Sequence, residues 1–146
     1  MASPEEIIAA EKDITRFIPQ KPPMVMIGKL HSVADKKTTT SFLIREDNLF
    51  CEDGFFREPG LIENMAQTAA AGAGYLSQAE HKEPAVGFIG GIRNLNIYDY
   101  PPAGSEIVTE VTVEHEVFDA TVVMGRTFLD DRLIAECELK IFILKS

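Results

Sequence analysis

Glu63 and Gln67 are the residues from which chemistry could start: a carboxyl and an amide four positions apart in Leu61-Ile-Glu-Asn-Met-Ala-Gln67. Four residues are close to one helical turn, so in a helix the two side chains share a face. A carboxyl can move protons, and the amide can either orient it or satisfy a buried main-chain group. The plainer reading of Glu63 is a carboxylate near a helix start, where negative charge is favoured. A capping box does not account for it, because Gly60, three positions earlier, has no side-chain oxygen. Upstream, Glu52-Asp53-Gly54 offers a second carboxyl in Asp53, which reads first as a turn residue.

Other reactive side chains are sparse. Cys51 and Cys137 are too few for a disulfide framework, and no histidine stands beside Cys51 to activate it. Of the histidines, His81 falls at a helix end and His31 shares a strand face with Lys29, which reads as exposed. His115 alternates with apolar strand residues and reads as a packed side chain. No Cys/His cluster suggests a metal, no glycine-rich loop after a strand suggests a phosphate, and no cofactor is expected.

The element that must position Glu63 reads as one long helix from Gly60 to about Ala79, opened by Pro59-Gly60 and closed near Lys82-Glu83-Pro84. From Ala69 to Gly74 it contains only alanine and glycine. Each glycine costs about 1 kcal/mol relative to alanine in a helix interior. A helix that accepts this cost and carries so little bulk is expected to be enclosed, with other backbones close against it. Glu63, Asn64 and Gln67 interrupt the apolar run, so a membrane span is not expected.

Around the helix the pattern is that of strands. Met24 to Val33 and Thr38 to Ile44 read as a hairpin turning at Asp35-Lys36-Lys37, and Arg45 to Pro59 as irregular chain anchored by Phe50, Phe55 and Phe56. After the helix come a strand from Ala85 to Tyr98, a turn at Pro101-Pro-Ala-Gly104, and strands over Ile107–Val117, Ala120–Phe128 and Arg132–Leu144. Gly90-Gly91 inside the first of these suggests a bulge or a close backbone approach. Ser3-Pro4-Glu5-Glu6, followed by Ile7, Ile8, Ile14 and Phe17, reads as an N-terminal amphipathic helix within residues 1–17.

The chain has 146 residues, 45% hydrophobic and 25% charged, which is the length and composition of one globular domain. A net charge of −9 argues against a nucleic-acid binder, which needs a basic face. The start lacks the basic and apolar regions of a signal peptide, so a cytoplasmic location is expected. The fold class is therefore α+β: one long helix cradled by an antiparallel sheet of five or six strands.

In this order of elements, the phrase Glu63-x-x-Ala66-Gln67 resembles the central helix of the β-hydroxyacyl acyl-carrier-protein dehydratases, which have the hot-dog fold. Ile18-Pro-Gln-Lys-Pro-Pro-Met24 is similar to their Leu-Pro-His-Arg-x-Pro opening, and Pro102-Ala-Gly104 to their Pro-Gly turn. The likeness spans roughly residues 17 to 143. Asp47-Asn-Leu-Phe50, Glu52-Asp-Gly54 and Gly87-Phe-Ile-Gly90 resemble a divergent branch associated with aryl-polyene pathways. There is one departure. Those dehydratases carry His-Phe-Pro-Gly before the helix, whereas Phe50-Cys-Glu-Asp-Gly-Phe-Phe56 contains no histidine, and Gln20 stands in place of the opening histidine. Counting back from Glu63 puts Leu49 in the missing position, while counting back from Pro59-Gly60 puts Cys51 there.

The resemblance implies a dehydratase-like enzyme that removes water from a β-hydroxyacyl thioester held on acyl carrier protein or CoA. Such an elimination needs a base for the α-proton, an acid for the β-hydroxyl and polarisation of the thioester carbonyl. Glu63 would be the acid, Asp53 the substitute base coupled to it, and the backbone at Gly60 the carbonyl's partner. Gln67, Gly90 and Gly91 would line the substrate. The strand Ala85–Tyr98 would pair two subunits as a homodimer, or join the chain to an active homologue. A hot-dog thioesterase and a non-catalytic acyl-binding subunit are the alternatives.

Overall fold

The computed structural model describes residues 6–80 and 86–144. A 3-10 helix (Glu11–Arg16) leads into β1 (Lys29–Ala34) and β2 (Lys37–Leu43), then a short hairpin of β3 (Cys51–Glu52) and β4 (Phe55–Phe56). Helix α1 (Glu58–Ala79) follows, and then β5 (Val86–Ile97), β6 (Glu106–Val117), β7 (Ala120–Leu129) and β8 (Arg132–Leu144). Six strands form one curved antiparallel sheet in the order β1-β2-β6-β7-β8-β5, with α1 against it.

Local chemistry explains the hairpins. Asp35-Lys36 and Asp130-Asp131 both sit at positive φ, the backbone of a two-residue turn whose twist matches the flanking strands. Aspartate tolerates that conformation better than most residues because its short polar side chain can bond locally. Gly54 and Gly104 take φ values of +83° and +92° in the β3–β4 and β5–β6 turns, and Phe118 takes +57° in the β6–β7 turn. The bulge expected at Gly90-Gly91 is present as a register shift between Ile89 and Gly91.

Helix α1 lies between two apolar clusters. On the sheet side Leu61 and Met65 pack with Met26, Ile107, Cys137 and Leu139, all essentially inaccessible to solvent. On the other side Ala71 meets Ile14, Phe17, Ile27 and Leu30. The glycines of the helix mark where neighbours come closest. A Cβ at Gly74 would collide with the main-chain carbonyl of Phe17, and one at Gly72 with the Thr38 side chain. Enclosure is not complete: Ala73 and Leu76 face outward along one edge.

Four expectations are corrected. The amphipathic helix read within residues 1–17 is, among the described residues, only the 3-10 helix from Glu11. Ala9 instead forms a bridge to Leu30, and the Ile8 and Ala9 N–H groups both donate to the Leu30 carbonyl. Its proposed start at Ser3 lies outside the described residues, as do His81 and the Lys82-Glu83-Pro84 helix end. Segment 45–59 is not all irregular, since it holds the β3–β4 hairpin, with Phe56 buried against Phe42 at 5.8 Å between ring centroids. His31 is buried rather than exposed: its Nε2 lies 2.7 Å from Ser41 Oγ and its Nδ1 2.5 Å from the Glu6 carbonyl. His115 is exposed rather than packed, because the ladder to β7 slips between Val113 and His115 and turns the later residues outward.

Candidate active site

Glu63 stands in the second turn of α1, half-buried, in the wall of a cavity of about 580 Å³. The helix lines this cavity with its smallest residues, Ala66, Ala69, Ala70 and Ala73, while β6 and β7 face them with Val111, Val113 and Val123. Leu76, also in the wall, is about 20 Å from Glu63 along the helix axis at 1.5 Å per residue. The small-residue stripe leaves this space open along the helix. Asp35, Lys36 and Glu116 add polar groups from the β1–β2 turn and the far part of β6.

Burial pushes the Glu63 carboxyl above the usual glutamate range, while a hydrogen bond with Gln67 pulls in the opposite direction and does not cancel it. Gln67 is fully buried and held on two sides. Its Oε1 accepts the Met26 N–H at 2.6 Å, and its Nε2 donates to the Met24 carbonyl at 2.8 Å. Of the two roles foreseen for it, Gln67 thus fills that of satisfying buried main-chain groups.

Asn64 does the matching work one residue after Glu63. Its Nδ2 donates to the Met26 carbonyl at 2.7 Å, and its Oδ1 accepts from Thr109 Oγ1 at 2.5 Å. Thr109 also meets Thr127 at 2.9 Å, and Thr68 bonds Thr40 at 2.7 Å. These buried groups fix the rotation of α1 over the sheet, and with it the direction of Glu63. Sequence reading passed over Asn64, although its position between Glu63 and Gln67 is a signal. It also passed over Gln20 as a cavity residue.

The other expected site residues are dispersed. Asp53 occupies the exposed tip of the β3–β4 turn at φ +54°, and neither it nor any other residue of that hairpin lines the cavity. Gly60 is buried beneath two phenylalanines: a Cβ there would lie 2.5 Å from the Phe56 ring and 2.8 Å from Phe50 Cβ. Its place in the first turn of α1 leaves its N–H without an intrahelical partner. Gly90 and Gly91 shape β5 rather than line the cavity, whose wall in that strand is Gly87, Phe88 and Ile89. No histidine lines the cavity among the described residues. Cys51 is half-buried with its thiol pushed up by desolvation, and Cys137 is buried with its pKa raised to about 11, so both thiols are held protonated at neutral pH.

Among the described residues no group of three His, Cys, Asp or Glu side chains could hold a metal ion, and no helix is long and apolar enough to cross a membrane. Strand β5 forms an edge of the sheet and exposes Phe88, Ile92 and Leu95, with Tyr98 exposed just beyond its end.

A family model described as ApeP-like, ApeP dehydratase, matches residues 12–145. Among solved structures, the chain is similar to the dehydratase heterocomplex ApeI:P from Xenorhabdus doucetiae, with a TM-score of 0.84 at 17% identity over 91% of each chain. It is also similar to an uncharacterized protein from Pyrococcus horikoshii, with a TM-score of 0.68 at 8% identity over 90% of this chain and 93% of that one. A hypothetical thioesterase with coenzyme A from Streptococcus pneumoniae TIGR4 gives a TM-score of 0.64 at 9% identity, covering 80% and 85%. No curated protein matches the chain. The structural likenesses establish the hot-dog fold.

Proposed function

The chain belongs to the ApeP-like dehydratase family, and we propose that it removes water from β-hydroxyacyl thioesters, with Glu63 as the acid. One observation carries the reading. Glu63 is the carboxyl placed by α1 in the wall of a long apolar cavity, and its surroundings favour the protonated form. A protonated carboxyl there can donate to the β-hydroxyl as the C–O bond breaks, giving water and a Glu63 carboxylate. The α-proton goes to a base, and the electron pair of the C–H bond becomes the new C=C bond.

The base is the component this chain leaves open. Asp53 lies on the exposed turn, away from the cavity wall. In this proposal the base comes from a partner chain docked along β5, whose apolar edge borders the cavity through Phe88 and Ile89. A heterocomplex is named for the similar structure from Xenorhabdus doucetiae, and a homologous chain that carries the histidine segment would fit this role. The carrier of the thioester is proposed to be acyl carrier protein or CoA. The absence of histidine from the described cavity wall favours a second reading, an acyl-binding subunit that does no chemistry itself.

The test offers β-hydroxyacyl and enoyl thioesters, on CoA and on carrier protein, to the chain alone and co-expressed with such a homologue. Enoyl absorbance reports dehydration and free thiol reports cleavage. Enoyl change without thiol release, dependent on Glu63, supports the proposal. Thiol release would make the protein a thioesterase. Activity unaffected by Glu63→Gln in the assembly, together with unchanged acyl binding, would leave the non-catalytic reading.

A further inference from the structure

Helix α1 is held close wherever it does not face the cavity. Leu61 and Met65 are buried in the sheet-side core, and Gly74 lies so near the Phe17 carbonyl that a Cβ would collide with it. Protein interiors otherwise pack to the density of organic crystals, so an apolar space of about 580 Å³ kept open beside such contacts is a built feature. Its size falls within the range of small-molecule sites. The far end of this space, opposite Glu63, is formed by Leu76 of α1, Asp35 and Lys36 of the β1–β2 turn, Glu116 of β6 and Phe88 of β5. The ladders bring these elements to one end of the sheet: Phe88 pairs with Phe142, Phe142 with Ala120, and Ala120 with Val117, next to Glu116. The Lys36 carbonyl accepts the Val113 N–H, which ties the β1–β2 turn to the same end. All five wall residues are exposed. A pocket with a floor ends on bulky buried side chains; among the described residues this one ends on side chains that meet solvent.

We infer that the cavity is an open-ended channel for long acyl chains, which run from Glu63 along the alanine face of α1 and emerge between Leu76 and the Asp35-Lys36 turn. This rests on the reading of the cavity as an acyl-thioester site and adds the class of chain it takes: long, and free to carry a polar group at its far end. Two features define the class. The middle of the wall, with Ala66, Ala69 and Ala70 facing Val111, Val113 and Val123, is apolar. Each methylene laid along it leaves water, which is worth up to about fourfold in affinity. The exit offers both signs of charge together with solvent, so a hydroxyl arriving there keeps its hydrogen bonds instead of being buried unpaired. Ala73 controls the exit. It lines the cavity, is exposed, and lies about 15 Å from Glu63 along the helix axis. A large side chain at this position closes the far part of the channel without touching the part beside Glu63.

The experiment measures, by calorimetry on the full chain, the affinity of unreactive pantetheine amides bearing octanoyl, dodecanoyl, hexadecanoyl and ω-hydroxyhexadecanoyl chains. Affinity should rise from octanoyl through hexadecanoyl, and the ω-hydroxy chain should bind within a few-fold of the plain one. Ala73→Phe should weaken hexadecanoyl binding by about tenfold or more, the worth of a few methylenes returned to water, and leave octanoyl binding unchanged. Leu76→Trp, at the exit itself, replaces this variant if it does not fold. Affinity that falls beyond octanoyl, or a marked penalty for the ω-hydroxyl, would reveal a floor and overturn the open channel while leaving an acyl site in place. Losses in Ala73→Phe that are equal for short and long chains, or absent for both, would overturn the course of the chain along α1. If no amide binds at all, the acyl-site reading fails, and the inference fails with it.

Discussion

Gln67 ties Met26 to the helix that carries Glu63, with its Oε1 accepting the Met26 N–H at 2.6 Å while its Nε2 donates to the Met24 carbonyl at 2.8 Å. The amide stands in for a strand partner at a place where the chain has not yet entered β1. Replacing it by leucine keeps the bulk but leaves a buried N–H without its acceptor and a carbonyl without its donor. Each unsatisfied group costs about 1–3 kcal/mol. Gln67→Leu should therefore lower the urea midpoint clearly, and Gln67→Glu, which keeps the acceptor, should lower it less. Equal midpoints for the two variants would separate Gln67 from the Met24–Met26 segment.

Gly74 tests the close approach of the N-terminal segment to α1. Alanine is the better helix former by about 1 kcal/mol, so propensity alone predicts that Gly74→Ala stabilises the protein. The added Cβ would instead meet the Phe17 carbonyl, a main-chain atom that cannot step aside as a flexible side chain can. Overpacking of this kind costs about 1–3 kcal/mol, and the variant should be destabilised. A raised melting temperature would show that the segment around Phe17 does not press on the helix.

Glu63 should leave a mark on the pH dependence of stability. Its folded-state pKa lies above the unfolded value, with desolvation the main cause. The folded chain thus holds a proton that the unfolded chain has already released. The stability this contributes is fully present below the unfolded pKa and is lost as pH rises through the folded pKa. Compared with Glu63→Gln, the wild type should lose ground as pH rises through and just above the ordinary carboxylate range. Half-exposure trims the effect, but not its sign. A difference that is flat, or that grows in favour of the wild type, would refute the perturbed carboxyl.

Much of this arrangement is legible in the amino-acid sequence. The Ala69–Gly74 run and Glu63-x-x-Ala-Gln67 defined the helix and its chemical face, and alternation with Asp130-Asp131 defined the last two strands. What escaped depends on contacts distant in sequence. The bulge after Val113 reverses the facing of His115, and nothing local marks it. His31 is buried because Ser41 and the Glu6 carbonyl come to it from elsewhere in the chain. Asp53 is near Glu63 in sequence, yet a turn and the start of a helix carry the two side chains apart. The Met24–Met26 segment reads as a strand by composition, but its partners are two helix amides, which no periodicity reveals.

Strand β5 carries the prediction about assembly. It forms an edge of the sheet and presents Phe88, Ile92 and Leu95 to solvent, an arrangement that exposed edges ordinarily avoid. Ile92→Lys should weaken association with a second hot-dog chain while leaving the chain folded, because the residue is exposed and contributes little to the core. Sedimentation equilibrium at several concentrations checks this. Undiminished association would place the interface on another surface.

The central claim is that Glu63 acts as the acid in dehydration, and the most direct measurement is turnover by the assembly that dehydrates β-hydroxyacyl thioester, with and without Glu63→Gln. Glutamine retains the size and hydrogen-bonding capacity of the side chain but cannot give up a proton as a carboxylic acid does. The account predicts that kcat falls by about a hundredfold or more, the scale of general-acid catalysis, while affinity for an unreactive hydroxyacyl amide stays within a few-fold. A kcat within a few-fold of the wild type would contradict it.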